Sequence, residues 1–364
     1  MGVREVFDAH LSARNYRADA SQLAALARLQ RLDEDWRAYK GQRSNALKKL
    51  LARPPVPRGV YLWGGVGRGK SFLMDAFYAA VPVLRKTRVH FHEFMRGVHR
   101  ELTDVKGTPD PLDEVARRIA RRHRLICFDE FHVADSADAM ILHRLLSKLF
   151  ELNVGLVMTS NYAPDDLYPD GLHRDRVLPA IALLKECLDV VHVEAGVDYR
   201  RRAMENIEAY LTPWGAEAES RLAADFDRLA EADDDDPVLE IEARKIRARR
   251  RAGGVVWFDF AVLCGGPRSH ADYLEIAAQF HTVLLSNVPV MSAAQSSEAR
   301  RFTWLVDVLY DHRVKLLVSA EAPPTELYTV GVLSNEFART ASRLIEMQSR
   351  EYLETPRREV MQGA

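Results

Sequence analysis

An α/β fold, with a parallel sheet and helices on both of its faces, is predicted by three stretches of this chain. The first is the apolar run Val60-Tyr61-Leu62-Trp63, which enters a glycine-rich turn and then an apolar-periodic helix near Lys70. The second, Leu125-Ile126-Cys127-Phe128, is fully apolar and ends in Asp129-Glu130. The third, Val154-Gly155-Leu156-Val157-Met158, is again apolar and ends in the polar Thr159-Ser160-Asn161. Continuous apolar runs belong to strands buried on both faces, as in a covered parallel sheet. Between the second and third, Ile141, Leu142, Leu145, Leu146, Leu149 and Phe150 recur at helical spacing, so a helix joins the two strands.

The turn after Trp63 carries chemistry. Gly64-Gly65-Val66-Gly67-Arg68-Gly69-Lys70-Ser71 satisfies the P-loop pattern, in the strand-to-helix setting that the motif requires. Gly65, Gly67 and Gly69 let the backbone turn its N–H groups inward on a phosphate chain. The helix that follows adds the positive end of its dipole. Lys70 is expected to reach the β- and γ-phosphates and Ser71 to ligate Mg²⁺. Asp129 stands where open α/β sheets bind ligands, at the carboxyl end of a strand, and suits the Mg²⁺ shell. Glu130 suits the task of orienting or deprotonating an attacking water. Asn161, at the end of the third strand, is expected to face the γ-phosphate if that strand lies beside the second; Ser160 is the alternative.

Composition bounds the remaining possibilities. The 364 residues allow two or three compact units, and 47% hydrophobic with 28% charged residues excludes a disordered chain. With 51 basic and 52 acidic residues the formal net charge is −1, so no global basic field exists to hold nucleic acid, which is not an expected partner. Cys127, Cys187 and Cys264 have neither metal-ligand spacing nor an even count, which suits a reducing, cytoplasmic setting. No secretory or transit signal opens the chain, and no apolar run approaches the roughly 18–20 residues of a membrane span.

The expected organisation is a helical segment over residues 1–57, a P-loop core over 58–200 and an α/β region over 201–364. In the first, Leu23, Leu26, Leu29, Leu32 and Trp36 repeat at helical spacing after Asp19, a helix cap with Gln22 at the third helical position. Gln22 has a second reading, since its amide can pair with an adenine edge; capping is preferred. Residues 87–94 form a second strand passing into a helix, in which His90, Glu93 and His99 lack a zinc signature. Arg174 or Arg176, beyond the Asn161 strand, is expected as an arginine finger toward a neighbouring subunit. Past residue 200, Val238–Arg247 and Val255–Phe260 read as a β-hairpin whose basic side chains, from Arg244 to Arg251, form either a partner surface or a charged edge. The last hundred residues echo the core. The stretch Phe150–Tyr168 can be laid on Tyr310–Tyr328, 160 positions later, and Thr282–Asn287 takes the place of the Asp129 strand without its acids. Arg339 and Arg343 follow on one helix face, candidates for a second sensor of phosphate.

Together these segments resemble one family over nearly the whole chain. The P-loop, Phe128-Asp129-Glu130-Phe131-His132, Thr159-Ser160-Asn161, Asp307–Leu316 and Arg339-Thr340-Ala341-Ser342-Arg343-Leu344 are similar to the AFG-like AAA+ ATPases, whose bacterial branch is the ZapE-type cell-division ATPases. The resemblance implies ATP and Mg²⁺ as cofactors, Lys70 on the phosphates, Asp129 and Ser71 on the metal, and Glu130 in hydrolysis. Asn161, Arg174 and Arg343 transfer with less weight. It also implies a protein partner, with the FtsZ division ring as the candidate, and is compatible with a homo-oligomer. The competing expectations are a helicase-loader-like ATPase acting on nucleic acid and a nucleotide-switch scaffold that does not hydrolyse.

Overall fold

The computed structural model describes residues 2–13, 18–43, 54–65, 68–133, 136–169, 173–193, 204, 207–230, 234, 236–242, 244–331 and 333–358. Backbone packing divides the chain into two compact units that meet between Asp198 and Tyr199.

The first unit runs α1 (Val3–Ala13), α2 (Ala20–Gln42), β1 (Gly59–Trp63), α3 (Lys70–Ala80), β2 (Lys86–His90), α4 (Phe91–Asp104), α5 (Pro111–Arg122), β3 (Leu125–Asp129), α6 (Ser136–Glu151), β4 (Gly155–Ser160), α7 (Leu178–Cys187) and β5 (Leu188–His192). Its five strands are all parallel, in the order β2-β3-β4-β1-β5. Successive residues of a strand point to opposite faces, and here both sets are apolar. Ile126, Phe128, Leu156, Met158 and Tyr61 pack with α4, α5, α6 and α7. Leu125, Cys127, Val157, Val60 and Leu62 pack with α1, α2 and α3. Burial pushes the Cys127 thiol up to about 12, which keeps it protonated and inert. Asp19 caps α2 in a reciprocal box with Gln22. His99 bonds Asp138 at 2.7 Å, so this histidine ties α4 to α6.

The α2 face is packed to contact. Trp36 is 2% exposed, and a Cβ built on Gly155 would lie 2.5 Å from its Cζ2. Gly155→Ala is therefore expected to force a shift of Trp36 and to destabilise the fold by about 1–3 kcal/mol. Thermal unfolding of the two proteins checks this, and an unchanged melting temperature would show that the indole has room to move.

The second unit runs β6 (Tyr210–Leu211), α8 (Ala216–Leu229), β7 (Val238–Ile241), β8 (Arg244–Arg247), β9 (Arg250–Ala252), β10 (Val255–Asp259), α9 (Phe260–Leu263), α10 (His270–Gln279), β11 (Thr282–Val288), α11 (Ser296–Asp311), β12 (Lys315–Ala320), α12 (Ser334–Met347) and α13 (Arg350–Glu354). Its main sheet has the order β6-β12-β11-β10-β9, with only β9 antiparallel to its neighbour. The single hairpin expected between Val238 and Phe260 is two. β7 pairs with β8 apart from the main sheet, and β9 turns at Gly253 (φ 53°) into β10. Its arginines also serve the unit itself. Arg244 pairs with the fully buried Asp272, Arg249 with Glu219 and Asp259, and Arg250 with Asp227 and Asp234. Arg251 is buried, whereas Arg244, Lys245, Arg247 and Arg249 are exposed.

The sequence echo extends to topology. Strands β10-β11-β12-β6 repeat the order β2-β3-β4-β1. Asn153 and Arg313 both take left-handed backbone before β4 and β12, and both strands lead into a short turn of helix, Pro164–Asp166 and Pro324–Glu326. Glu130 and Asn287 are both left-handed at the ends of β3 and β11. Their N–H groups donate to equivalent hydroxyls, Thr159 at 3.2 Å and Ser319 at 3.1 Å. The Tyr61 hydroxyl donates to the Tyr162 carbonyl, and that of Tyr210 to Ala322. In this correspondence Ser286, which is fully buried, stands where Asp129 stands in the first unit.

Candidate functional site

The carboxyl ends of β1, β3 and β4 bring the expected residues together. β1 ends at Trp63, and Gly64 turns the chain with φ 152°; its N–H donates to the Ser160 carbonyl. A Cβ at Gly64 would lie 2.2 Å from the Val193 carbonyl oxygen, so only glycine fits. Val66 and Gly67 lie outside the described residues. Gly69 precedes α3 with φ 76°. Beside it Gln22, 1% exposed, donates its amide to the Arg68 carbonyl at 2.9 Å, while its oxygen accepts the Asp19 N–H. Both ends of the amide are thus engaged in holding the loop and capping α2, the role preferred for it above.

Lys70 opens α3 and is 8% exposed. Its ammonium donates to the Gly64 carbonyl at 2.8 Å, the Gly65 carbonyl at 2.7 Å and the Asn161 side-chain oxygen at 3.2 Å. Asn161 therefore stands beside the P-loop lysine. Ser160 does not compete for that role. Its hydroxyl donates to the Phe131 carbonyl at 2.7 Å and accepts the Tyr162 N–H at 3.1 Å, which locks the end of β4 to the turn after β3.

Asp129 ends β3 and is 7% exposed. Its carboxylate is gripped by Arg88 of the neighbouring strand β2, Nε to Oδ2 at 2.5 Å and Nη2 to Oδ1 at 3.3 Å. Arg88 also pairs through Nη1 with Asp75 of α3. Thr159 of β4 bridges the two acids: its hydroxyl donates to Asp129 at 3.4 Å and accepts the Glu130 N–H at 3.2 Å. Glu130 is left-handed (φ 51°), and its carbonyl bonds His132 Nδ1 at 2.8 Å. Left-handed backbone is costly for a residue other than glycine, and the Thr159 and His132 contacts over-determine it. Sequence reasoning singled out neither Arg88 nor Thr159. A lone arginine inside a strand, two residues before its polar end, was the available signal for Arg88.

The donors that would hold a metal here are hard oxygens, the Asp129 carboxylate at the end of β3 and the hydroxyl of Ser71, the second residue of α3. That set suits Mg²⁺, which is bound by one or two protein oxygens together with substrate phosphates. Among the described residues no group of three or more His, Cys, Asp or Glu is placed to hold a metal.

The arginine candidates fall elsewhere. Arg174 donates Nη2 to the Asp165 carbonyl at 2.8 Å, and Arg176, on the same short turn, is 62% exposed. Arg343 lies in the second unit, on α12. It forms a 2.5 Å ion pair with Asp307, without the alignment of a hydrogen bond, and sits 4.8 Å over the Tyr310 ring. Arg339 pairs with the same Asp307 at 3.0 Å.

Residues 1–356 match the family described as AFG1-like ATPase. The chain belongs to that family. Among curated relatives, it is 46% identical to cell division protein ZapE of Escherichia coli over 297 residues, which are 81% of this chain and 79% of that protein. It is 36% identical to an uncharacterized Schizosaccharomyces pombe protein, over 87% of this chain and 78% of the other. Lactation elevated protein 1 homolog B of Danio rerio is 39% identical, over 81% of this chain and 62% of its own length. The solved structure of domain III of the Thermotoga maritima initiator DnaA superposes with a TM-score of 0.36 at 14% identity, over 52% of this chain and 68% of that one. Membership of this ATPase family, with a P-loop on a parallel sheet, makes the chain an ATP-hydrolysing, nucleotide-binding enzyme. No helix among the described residues is long and apolar enough to cross a membrane.

Proposed function

We propose that this AFG1-like protein is a Mg²⁺-dependent, cytoplasmic ATPase that acts on a protein partner in cell division, the FtsZ ring. The observation that carries the catalytic part is the convergence of Lys70, Asn161 and the Asp129-Glu130 pair on adjacent strand ends of one sheet. The ammonium of Lys70 exchanges the Gly64 and Gly65 carbonyls for phosphate oxygens. Asp129 and Ser71 hold Mg²⁺, which neutralises charge on the phosphates when bound. Glu130 orients and deprotonates the attacking water, and Asn161 fixes its position near the γ-phosphate. The remaining transition-state charge falls to Arg174 or Arg176, of which Arg176 is the more accessible to a neighbouring subunit. Arg343, paired with Asp307, is proposed second, as a sensor of phosphate.

The partner is supported by the 46% identity to cell division protein ZapE. Purified FtsZ polymers are expected to stimulate ATP turnover and to change their sedimentation when the wild-type chain and ATP are both present. Single-stranded DNA is expected to do neither. Stimulation by DNA alone would replace this reading with the helicase-loader one, and no turnover under any condition would leave a nucleotide switch.

A further inference from the structure

We propose that Arg88 gates the metal site: it holds Asp129 while no divalent cation is present and moves wholly to Asp75 when one binds. The proposal rests on the assignment of Asp129 to Mg²⁺ made above. Three observations carry it. First, the Arg88 guanidinium lies across both oxygens of Asp129, so a metal there would share its carboxylate with a cation. Second, Arg88 pairs with two buried carboxylates that stand on different elements, Asp129 at the end of β3 and Asp75 on the helix that follows the P-loop. Third, Asp75 Oδ2 is buried without a hydrogen-bond partner. An unpartnered carboxylate oxygen in a closed site is costly, unless it is the second berth for a guanidinium that already touches its twin. Arg88 now spans the two acids. In the metal-bound state the fork closes on both oxygens of Asp75, a geometry that arginine and carboxylate favour.

The charges require such a move. A guanidinium and a divalent cation on one carboxylate repel each other in a site that water screens poorly. Removing Arg88 altogether leaves two uncompensated acids, whereas moving it to Asp75 leaves one acid for the metal and one for the arginine. Asp75, the acid that keeps the arginine, belongs to the P-loop helix, so metal binding tightens the link between β2 and α3.

The two partners of Arg88 should then change metal affinity in opposite directions, which a purely structural ion pair would not do. Mn²⁺ binding to the ADP-loaded protein, read by electron paramagnetic resonance, is the measurement. Arg88→Gln is expected to bind Mn²⁺ about tenfold more tightly than wild type, equivalent to about 1.4 kcal/mol. Asp75→Asn, which removes the second berth and keeps Arg88 on Asp129, is expected to bind about tenfold more weakly. Metal-free ADP affinity, measured with chelator, should stay within about twofold in both, which also reports that the site is folded. Should Arg88→Gln lose its fold, the double variant Arg88→Gln/Asp75→Asn relieves the charge and is expected to bind Mn²⁺ at least as tightly as wild type. Equal Mn²⁺ affinity in wild type, Arg88→Gln and Asp75→Asn overturns the gate while Asp129→Asn still abolishes binding. If Asp129→Asn itself leaves Mn²⁺ binding intact, the metal assignment falls, and the gate with it.

Discussion

Lys70→Ala should lose ATP turnover almost completely, by at least about 10²–10³ in kcat, the usual loss when one preorganised donor to developing charge is removed. The loss begins with binding. Lys70 joins two parts of the site: the P-loop carbonyls of Gly64 and Gly65, and Asn161 at the end of β4. An alanine there removes the cation for the β- and γ-phosphates and also releases Asn161. Titration with a fluorescent ATP analogue should show a large fall in affinity, while thermal unfolding without nucleotide should shift by only a few degrees. Retained affinity with unchanged turnover would mean that phosphate is held by other groups.

Glu130→Gln separates binding from chemistry. The amide keeps the size of the side chain and leaves the backbone contacts untouched, since the Glu130 N–H bonds Thr159 and its carbonyl bonds His132. What it removes is a base for the attacking water, a contribution of about 10²–10⁴ in rate. ATP affinity should match wild type, and single-turnover hydrolysis should slow by that factor. The result that sinks the assignment is an unchanged single-turnover rate, which would move the base elsewhere and turn attention to Asn161 and the turn after β3.

Much of this arrangement can be read without coordinates, for reasons that differ by element. The P-loop and the Asp129-Glu130 pair announce themselves because each combines an apolar strand with a chemical ending, two signals that rarely coincide by accident. The capping box at Asp19 and Gln22 is local, spanning four residues, so sequence spacing suffices. Arg88 is invisible at that level. Its meaning depends on β2 lying beside β3, a pairing across some forty intervening residues in which Arg88 sits two positions before the residue opposite Asp129. Thr159 is hidden in the same way, since it reads as one more polar residue after an apolar strand. Strand β6 has only two residues and no apolar run to reveal it. The two hairpins read as one because alternation persists through both, while each turns at its own left-handed residue, Glu242 between β7 and β8 and Gly253 between β9 and β10. Arg343 was placed by its helical spacing to Arg339, which gave the face but not Asp307 as its occupant.

The amide of Gln22 has a dynamic consequence. It is at once part of the cap of α2 and the clasp on the Arg68 carbonyl of the phosphate loop. Opening the first turn of that helix and loosening the loop are therefore one event, sharing a single opening free energy, as in the cooperative units that amide exchange detects. Whatever rigidifies the loop also slows the fraying of a helix that begins almost fifty residues earlier, and whatever pulls on that helix reaches the phosphates.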